Sequence, residues 1–269
     1  MANIALGSAS TALSALNTRL DVIANNLANV NTVGYKQSRA NFEDLLYVER
    51  QQPGVESAFG DERPIGLYVG LGVKVSGTQQ NFSQGSPIDT GRDLDIMIQG
   101  NGFFPVRSID PQTGDDIAYT RAGNFTLNSN GEIVMANNVG QRMLNSPNIP
   151  FDAIKVEIDE TGQIFVQQPN SVGTTLVGQI ELATFVNPAG LRQLGANLWG
   201  QSDASGDPII GQPLQENRGG IRQGYLEASN VDPTKELIHL IRTQRAFEMN
   251  SQSIKAADEV LRTVAQLRR

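Results

Sequence analysis

The chain has 269 residues, 21 basic against 28 acidic side chains, a net charge of −7 and 39% hydrophobic residues. That is long enough for about two domains and apolar enough to bury a core, so wholesale disorder is excluded. The acidic balance and the lack of a dense Lys/Arg run exclude nucleic acid as a partner class. With no cysteine, disulfides, thiolate catalysis and Cys-based metal sites are excluded too.

The first stretch, 1–32, carries a seven-residue hydrophobic repeat. Leu6, Leu13, Leu20 and Leu27 fill one heptad position, and Ala9, Leu16, Ile23 and Val30 fill the other. Such 3-4 alternation is the narrow stripe of a coiled-coil helix. A helix over 4–30 would extend ~40 Å at 1.5 Å per residue. The opening residues lack a basic segment followed by a compact apolar one, so no cleaved Sec signal is expected. No apolar run approaches the roughly 18 residues that a membrane span needs, so no membrane insertion is expected.

Residues 33–67 should form an extended linker. They hold a short apolar patch (Phe42, Leu45, Leu46, Tyr47), then Pro53-Gly54 and Arg63-Pro64 punctuation. From 68 to 227 the apolar residues alternate and glycine is frequent, which predicts an all-β domain. Strands are expected at Tyr68–Val75, Leu94–Ile98, Leu176–Val186 and Ile221–Leu226. Two hairpins are expected as well. In Phe125–Met135, Asn130-Gly131 suits a type I′ turn; in Val156–Val166 the turn is longer, with Gly162 near its end.

The last stretch, 228–269, opens with Asp232 as N-cap and Pro233 at the first helical position. Leu240, Phe247, Ile254 and Leu261 recur every seven residues, with a softer companion row of Thr243, Asn250, Ala257 and Val264. The expected fold is therefore α+β: terminal heptad helices pairing as a coiled-coil layer, a central all-β domain, and an extended linker between.

An isolated amphipathic helix has nothing to bury its stripe against. Pairing the two helices within one chain resolves this, and such pairs can pack against neighbouring copies. By periodicity alone, a monomer whose helical hairpin caps the β domain is the slightly better fit. Small, polar companion positions favour close approach between copies.

No catalytic constellation emerges, and no cofactor is expected. Asp93 and Asp95 lie two apart on an expected strand, and Asp115 and Asp116 are adjacent, but neither pair has a ligand set around it. A two-carboxylate hydrolase acting on the cell wall is the enzymatic alternative. His239 is the lone histidine and cannot build a zinc site without cysteine. Gly70-Leu71-Gly72-Val73-Lys74 sits in strand sequence and lacks the ending of a phosphate loop. No metal site is expected.

The most specific signal joins the first helix to the rest. Leu20-Asp21-Val22-Ile23-Ala24-Asn25-Asn26-Leu27-Ala28-Asn29-Val30-Asn31-Thr32-Val33-Gly34-Tyr35-Lys36 closely resembles the signature of flagellar rod and hook proteins. In that string Leu27 and Ile23 continue the stripe. Asn25, Asn26 and Asn29 are amides able to bond backbone or neighbouring copies, and Gly34 permits a positive φ at the exit. Gly224–Asp232, Glu236-Leu237 and Gln244–Glu248 resemble the family's C-terminal signature. Gly100–Phe104 and Tyr119–Phe125 resemble its β domain. Within the family, Arg39–Tyr47 with Gln52-Pro53-Gly54 resembles distal rod subunits; the proximal rod subunit that also has a β domain is the other candidate.

The resemblance implies a non-enzymatic, self-polymerising subunit. It would be exported through the flagellar type III apparatus and would build a torque-transmitting tube across the periplasm. Implied neighbours are the proximal rod proteins, the hook, and the P- and L-ring proteins. Leu6, Leu13, Leu16, Leu20, Ile23, Leu27, Leu240, Phe247, Ile254 and Leu261 would pack helices between subunits. The segment from Leu46 to Pro64 would stiffen the rod by bridging copies.

Overall fold

A computed structural model describes residues 2–54, 64–108, 116–169 and 173–267. The chain divides into two compact units, each discontinuous in sequence. One comprises 1–28, 38–79 and 232–269; the other comprises 29–37 and 80–231.

The first unit contains helix α1 (Ala2–Ala28) and a two-stranded ribbon. The ribbon's four segments are β1 (Ser38–Asp44), β2 (Tyr47–Gln51), β3 (Leu67–Gly70) and β4 (Val73–Gln80). Helix α2 (Pro233–Leu267) completes the unit and packs along α1. In the ribbon β1 pairs with β4 and β2 with β3, joined at the waist where Leu45 N donates to Gly72 O and Leu71 N to Leu46 O.

Two sequence expectations change here. The stretch after α1 is not a bare linker, because its extended residues find strand partners in 67–80. Those later strands belong to the same unit as the helices. The expected strand over 68–75 is also broken at Gly72, whose φ of +123° only glycine adopts readily. A side chain at Gly72 would run into Thr11 of α1, and Val73 N donates to Thr11 Oγ1 at 3.3 Å.

The second unit is a set of small antiparallel sheets around two apolar clusters. A four-stranded sheet runs Arg192–Gly195, Leu198–Gly200, Ile117–Thr120, Phe104–Arg107 in spatial order. A three-stranded sheet runs Lys155–Ile158, Gln163–Gln167, Thr174–Gln179. Alternation explains the burial: in Lys155–Ile158 the residues Val156 and Ile158 point inward while Lys155 and Glu157 face solvent. The larger cluster gathers Ile96, Ile98, Phe104, Phe125, Ile133 and Ile164. The smaller is aromatic, with Phe103, Tyr119, Phe185 and Trp199.

Both expected hairpins form. Phe125–Leu127 pairs with Ile133–Met135, and Lys155–Ile158 with Gln163–Gln167. The first turn is not type I′, since Gly131 has positive φ (+75°) and Asn130 does not. Instead the Asn128 carboxamide oxygen accepts from Asn130 N and Glu132 N, and Gly131 N donates to Asn128 O. That side-chain turn leaves one left-handed residue where a two-residue loop needs two. The strand expected over 176–186 is two strands, Thr174–Gln179 and Leu182–Thr184, and the one over 221–226 is divided at Gly224 (φ +78°).

Candidate assembly surfaces

In the helical unit, the heptad residues are placed unevenly. Ile23 is buried, while Leu6, Leu13, Leu16, Leu20 and Leu27 are half-buried. On α2, Leu240, Phe247 and Ile254 are half-buried and Leu261 is exposed. The most buried positions of α2 are Glu236 and Thr243, each 2% exposed. Thr243 satisfies its hydroxyl on His239 O at 2.7 Å, as small polar residues in a helix do.

A second apolar stripe of α2, outside both heptad rows, faces solvent. Leu237, Ile241, Met249 and Val260 are 46%, 48%, 62% and 59% exposed. Their spacings of 4, 8 and 11 keep them on one helix face. The Leu237/Ile241 pair carries this signal in the sequence, outside the seven-residue rows.

Asn26 is the best-placed residue of the motif. Its carboxamide bonds Ser38 like a strand partner, donating to Ser38 O at 2.8 Å and accepting from Ser38 N at 2.9 Å. It also donates to Glu236 Oε2 at 3.3 Å. One side chain, 1% exposed, thus ties the end of α1 to the starts of β1 and α2. Asn25 and Ala28 lie on the exposed face of α1. The N-cap of α2 forms as the sequence suggested. Asp232 Oδ1 accepts from Thr234 N and Lys235 N, and these bonds hold its carboxyl below the ordinary carboxylate range.

The ribbon carries the apolar patch in the open. Leu46, Tyr47 and Tyr68 are 82%, 57% and 50% exposed; Phe42 is exposed and Leu45 half-buried. A hydrogen bond to Asp44 raises the Tyr47 hydroxyl above its usual pKa. Pro53 and Gly54 form an exposed turn, and the rest of the bridging segment, 55–63, lies outside the described residues.

The remaining motif residues belong to the β unit, where they close a buried ion cluster. Thr32 caps a turn on Asn29, bonding its carboxamide oxygen at 3.1 Å. Gly34 (φ +69°) passes so close to the Arg121–Ala122 backbone that a Cβ there would sit 2.8 Å from it. Gly34 N donates to Glu227 O, and half-buried Tyr35 accepts through its carbonyl from Asn230 N.

Lys36 Nζ then donates to Glu227 Oε1 at 2.6 Å and to Ser83 O at 2.8 Å. On the other oxygen of Glu227, Arg121 Nε stands at 3.2 Å as an ion pair without hydrogen-bond alignment. The Arg121 fork continues to Gly102 O and Gly100 O, each at 2.8 Å. Burial, with Arg121 nearby, pushes the Lys36 ammonium below the ordinary lysine pKa against the pull of Glu227. The sequence showed Arg121 and Glu227 only as letters in family-like strings; nothing local in it announces that they meet Lys36.

The enzymatic alternative finds no support in the carboxylates. Asp95 is 1% exposed and Asp93 lies in the exposed turn before the strand, which starts at Ile96, so the two do not share a face. Asp115 lies outside the described residues. Among the described residues no group of His, Asp and Glu is arranged to hold a metal, and none of the helices is long and apolar enough to cross a membrane.

Comparison with known proteins gives three family matches. Residues 6–36 match the flagella basal body rod protein model, 97–166 the flagellar hook protein FlgE/F/G D1 domain, and 222–267 the flagellar basal body rod FlgEFG protein C-terminal model. The flagellar basal-body rod protein FlgG of Agrobacterium fabrum is 43% identical, covering 97% of this chain and 98% of its own. That of Buchnera aphidicola subsp. Schizaphis graminum is 41% identical, covering 96% of each. A solved structure, the Helicobacter pylori flagellar hook protein FlgE2, aligns at a TM-score of 0.25 and 16% identity over 71% of this chain and 43% of that one, a likeness too slight to bear weight.

Proposed function

This chain belongs to the flagellar basal-body rod family, a family of structural rather than catalytic proteins, and from that premise we propose that it polymerises into the distal rod. In this reading the terminal helices form an inner helical layer between copies, and the assembled tube carries torque from the proximal rod to the hook. The P- and L-rings surround it, and the chain reaches the periplasm through the flagellar type III apparatus.

One observation carries the polymer reading: after α2 has packed on α1, it still presents Leu237, Ile241, Met249 and Val260 to water. An exposed apolar stripe along a 35-residue helix is a surface awaiting a partner. In a self-assembling family the partner at hand is another copy. The exposed ribbon residues Leu46, Tyr47 and Tyr68 support bridging between copies in the same way.

The test is localisation and assembly together. Antibody to this chain should label the distal part of the rod in purified basal bodies, and the purified chain should extend rod fragments. Removing residues 1–28 and 233–269 should abolish extension. Basal bodies complete without this chain would refute the assignment.

A further inference from the structure

Resting on that polymer reading, we propose that the two surfaces left uncovered in each copy cover one another between copies. The aromatic, acidic face of one ribbon docks on the apolar, basic start of α2 in the next copy.

The ribbon face is built by strand pairing. In the register of β2 with β3, Glu49 stands opposite Tyr68 and Tyr47 opposite Gly70, so Tyr47, Glu49 and Tyr68 share one side of the ribbon. The Tyr47 ring lies across Gly70, where a Cβ would sit 3.2 Å from it. Each ring is tethered through its hydroxyl. Tyr68 Oη donates to Glu49 Oε1 at 3.2 Å, and the Tyr47 hydroxyl is bonded to Asp44. Two aromatic rings are thus held out in water with a carboxylate at the end of each. Among the described residues neither Asp44 nor Glu49 forms an ion pair, although Arg50 follows directly; Glu43, by contrast, is paired with Lys74 at 3.1 Å. Ring faces beside free carboxylates suit a guanidinium, which stacks on the one and bonds the other.

The start of α2 offers guanidinium groups in an apolar setting. Leu237, Ile241 and Arg245 follow at four-residue spacing in one row, with Ile238 and Arg242 on its flank. All five are exposed. Among the described residues Arg242 and Arg245 form no ion pair; those of this helix are Lys235 with Asp232 and Arg262 with Asp258. No carboxylate occurs between Leu237 and Phe247, so the stretch stays basic until Glu248.

Charge complementarity names the second copy as the occupant. One surface carries two carboxylates without a cation and the other two cations without a carboxylate, so docking breaks no ion pair inside either copy. Arg245 meets the Tyr47 and Tyr68 rings with Glu49 as its counter-charge, while Leu237 and Ile241 cover exposed Leu46. Ribbon and helix are different surfaces of the chain. Such heterologous contacts build open helical polymers, whereas a self-complementary patch stops at a dimer.

The chain has no cysteine, so engineered thiols are the only ones present. A Tyr68→Cys/Ile241→Cys double variant, assembled on rod fragments and oxidised with copper phenanthroline, should give a ladder of disulfide-linked oligomers on a non-reducing denaturing gel. Each single variant alone should give monomer, and the two singles mixed should give dimers. Rods of the double variant without a ladder overturn the contact. So do dimers from Ile241→Cys alone, which pair the helix with itself, and an internally linked monomer in place of the ladder. Charge reversal decides independently, with no thiol present. Glu49→Arg and Arg245→Glu should each slow rod extension about tenfold at low salt, and the double reversal should restore it. Extension that is unslowed by either reversal or unrestored by both, with monomer melting unchanged, overturns the contact and leaves the polymer reading standing. A wild-type chain that never extends rods overturns that reading and this contact with it.

Discussion

Lys36 and Glu227, 191 positions apart in sequence, meet at 2.6 Å with both side chains about 1% exposed. Arg121 joins them, so two buried cations share one carboxylate. Glu227→Gln leaves both cations without their counter-charge and should cost about 3–5 kcal/mol of β-unit stability. Lys36→Met should cost less, because Arg121 still pairs with Glu227. Urea unfolding of the two variants checks the ranking, and the reverse order would contradict this account of the cluster.

The same lysine makes a prediction about pH. Its pKa in the folded chain lies below the ordinary 10.5, so between those two values the unfolded chain holds a proton that the folded chain has released. Stability therefore rises with pH through that window, and the burial penalty is complete below it. Measured against Lys36→Met, the native chain should gain stability as pH climbs toward 10.5. A flat or falling difference would mean the ion pair outweighs burial.

Ile23 and Met249 separate folding from assembly. Ile23 is 5% exposed and Met249 62%. Ile23→Asp places a carboxylate inside the helical unit and should unpair α1 and α2, seen as lost helical circular dichroism. Met249→Asp should leave that signal unchanged yet stop rod extension. Normal rods from Met249→Asp would show that the exposed stripe has no partner.

Gly34 and Gly140 compare contact with strain. Both have positive φ, +69° and +66°, but a side chain at Gly140 would meet open space while one at Gly34 would strike the Arg121–Ala122 backbone. Alanine at either position should cost about 1–3 kcal/mol for the left-handed backbone. Gly34→Ala should cost more by the clash. Equal denaturation midpoints would mean the backbone yields there.

The helices were legible because a heptad is a local pattern, and Asp232-Pro233 marks its start by local chemistry. Short or polar residues such as Ala15, Asn26 and Thr243 are buried beside Ile23 while most of the heptad leucines are only half-buried, a ranking that periodicity cannot give. The stretch 38–51 reads in sequence as a linker, and it becomes strands because 67–80 pairs with it. Pairing 38–51 with 67–80 is a choice among many possible registers, decided by tertiary contacts such as that of Gly72 with Thr11. The ion cluster was invisible for the same reason: three ordinary charges, far apart, whose meaning lies in their meeting.

Under the type III export proposed above, that long reach has a consequence for a chain delivered end first. Until the segment around residue 227 arrives, the ammonium of Lys36 has no carboxylate and Gly34 no carbonyl to bond, so the β unit cannot close. The loop to be closed is long, and its entropy is offset only by the last contacts made. A partly emerged molecule is therefore kept threadable, and it sets into shape only when its far end comes through.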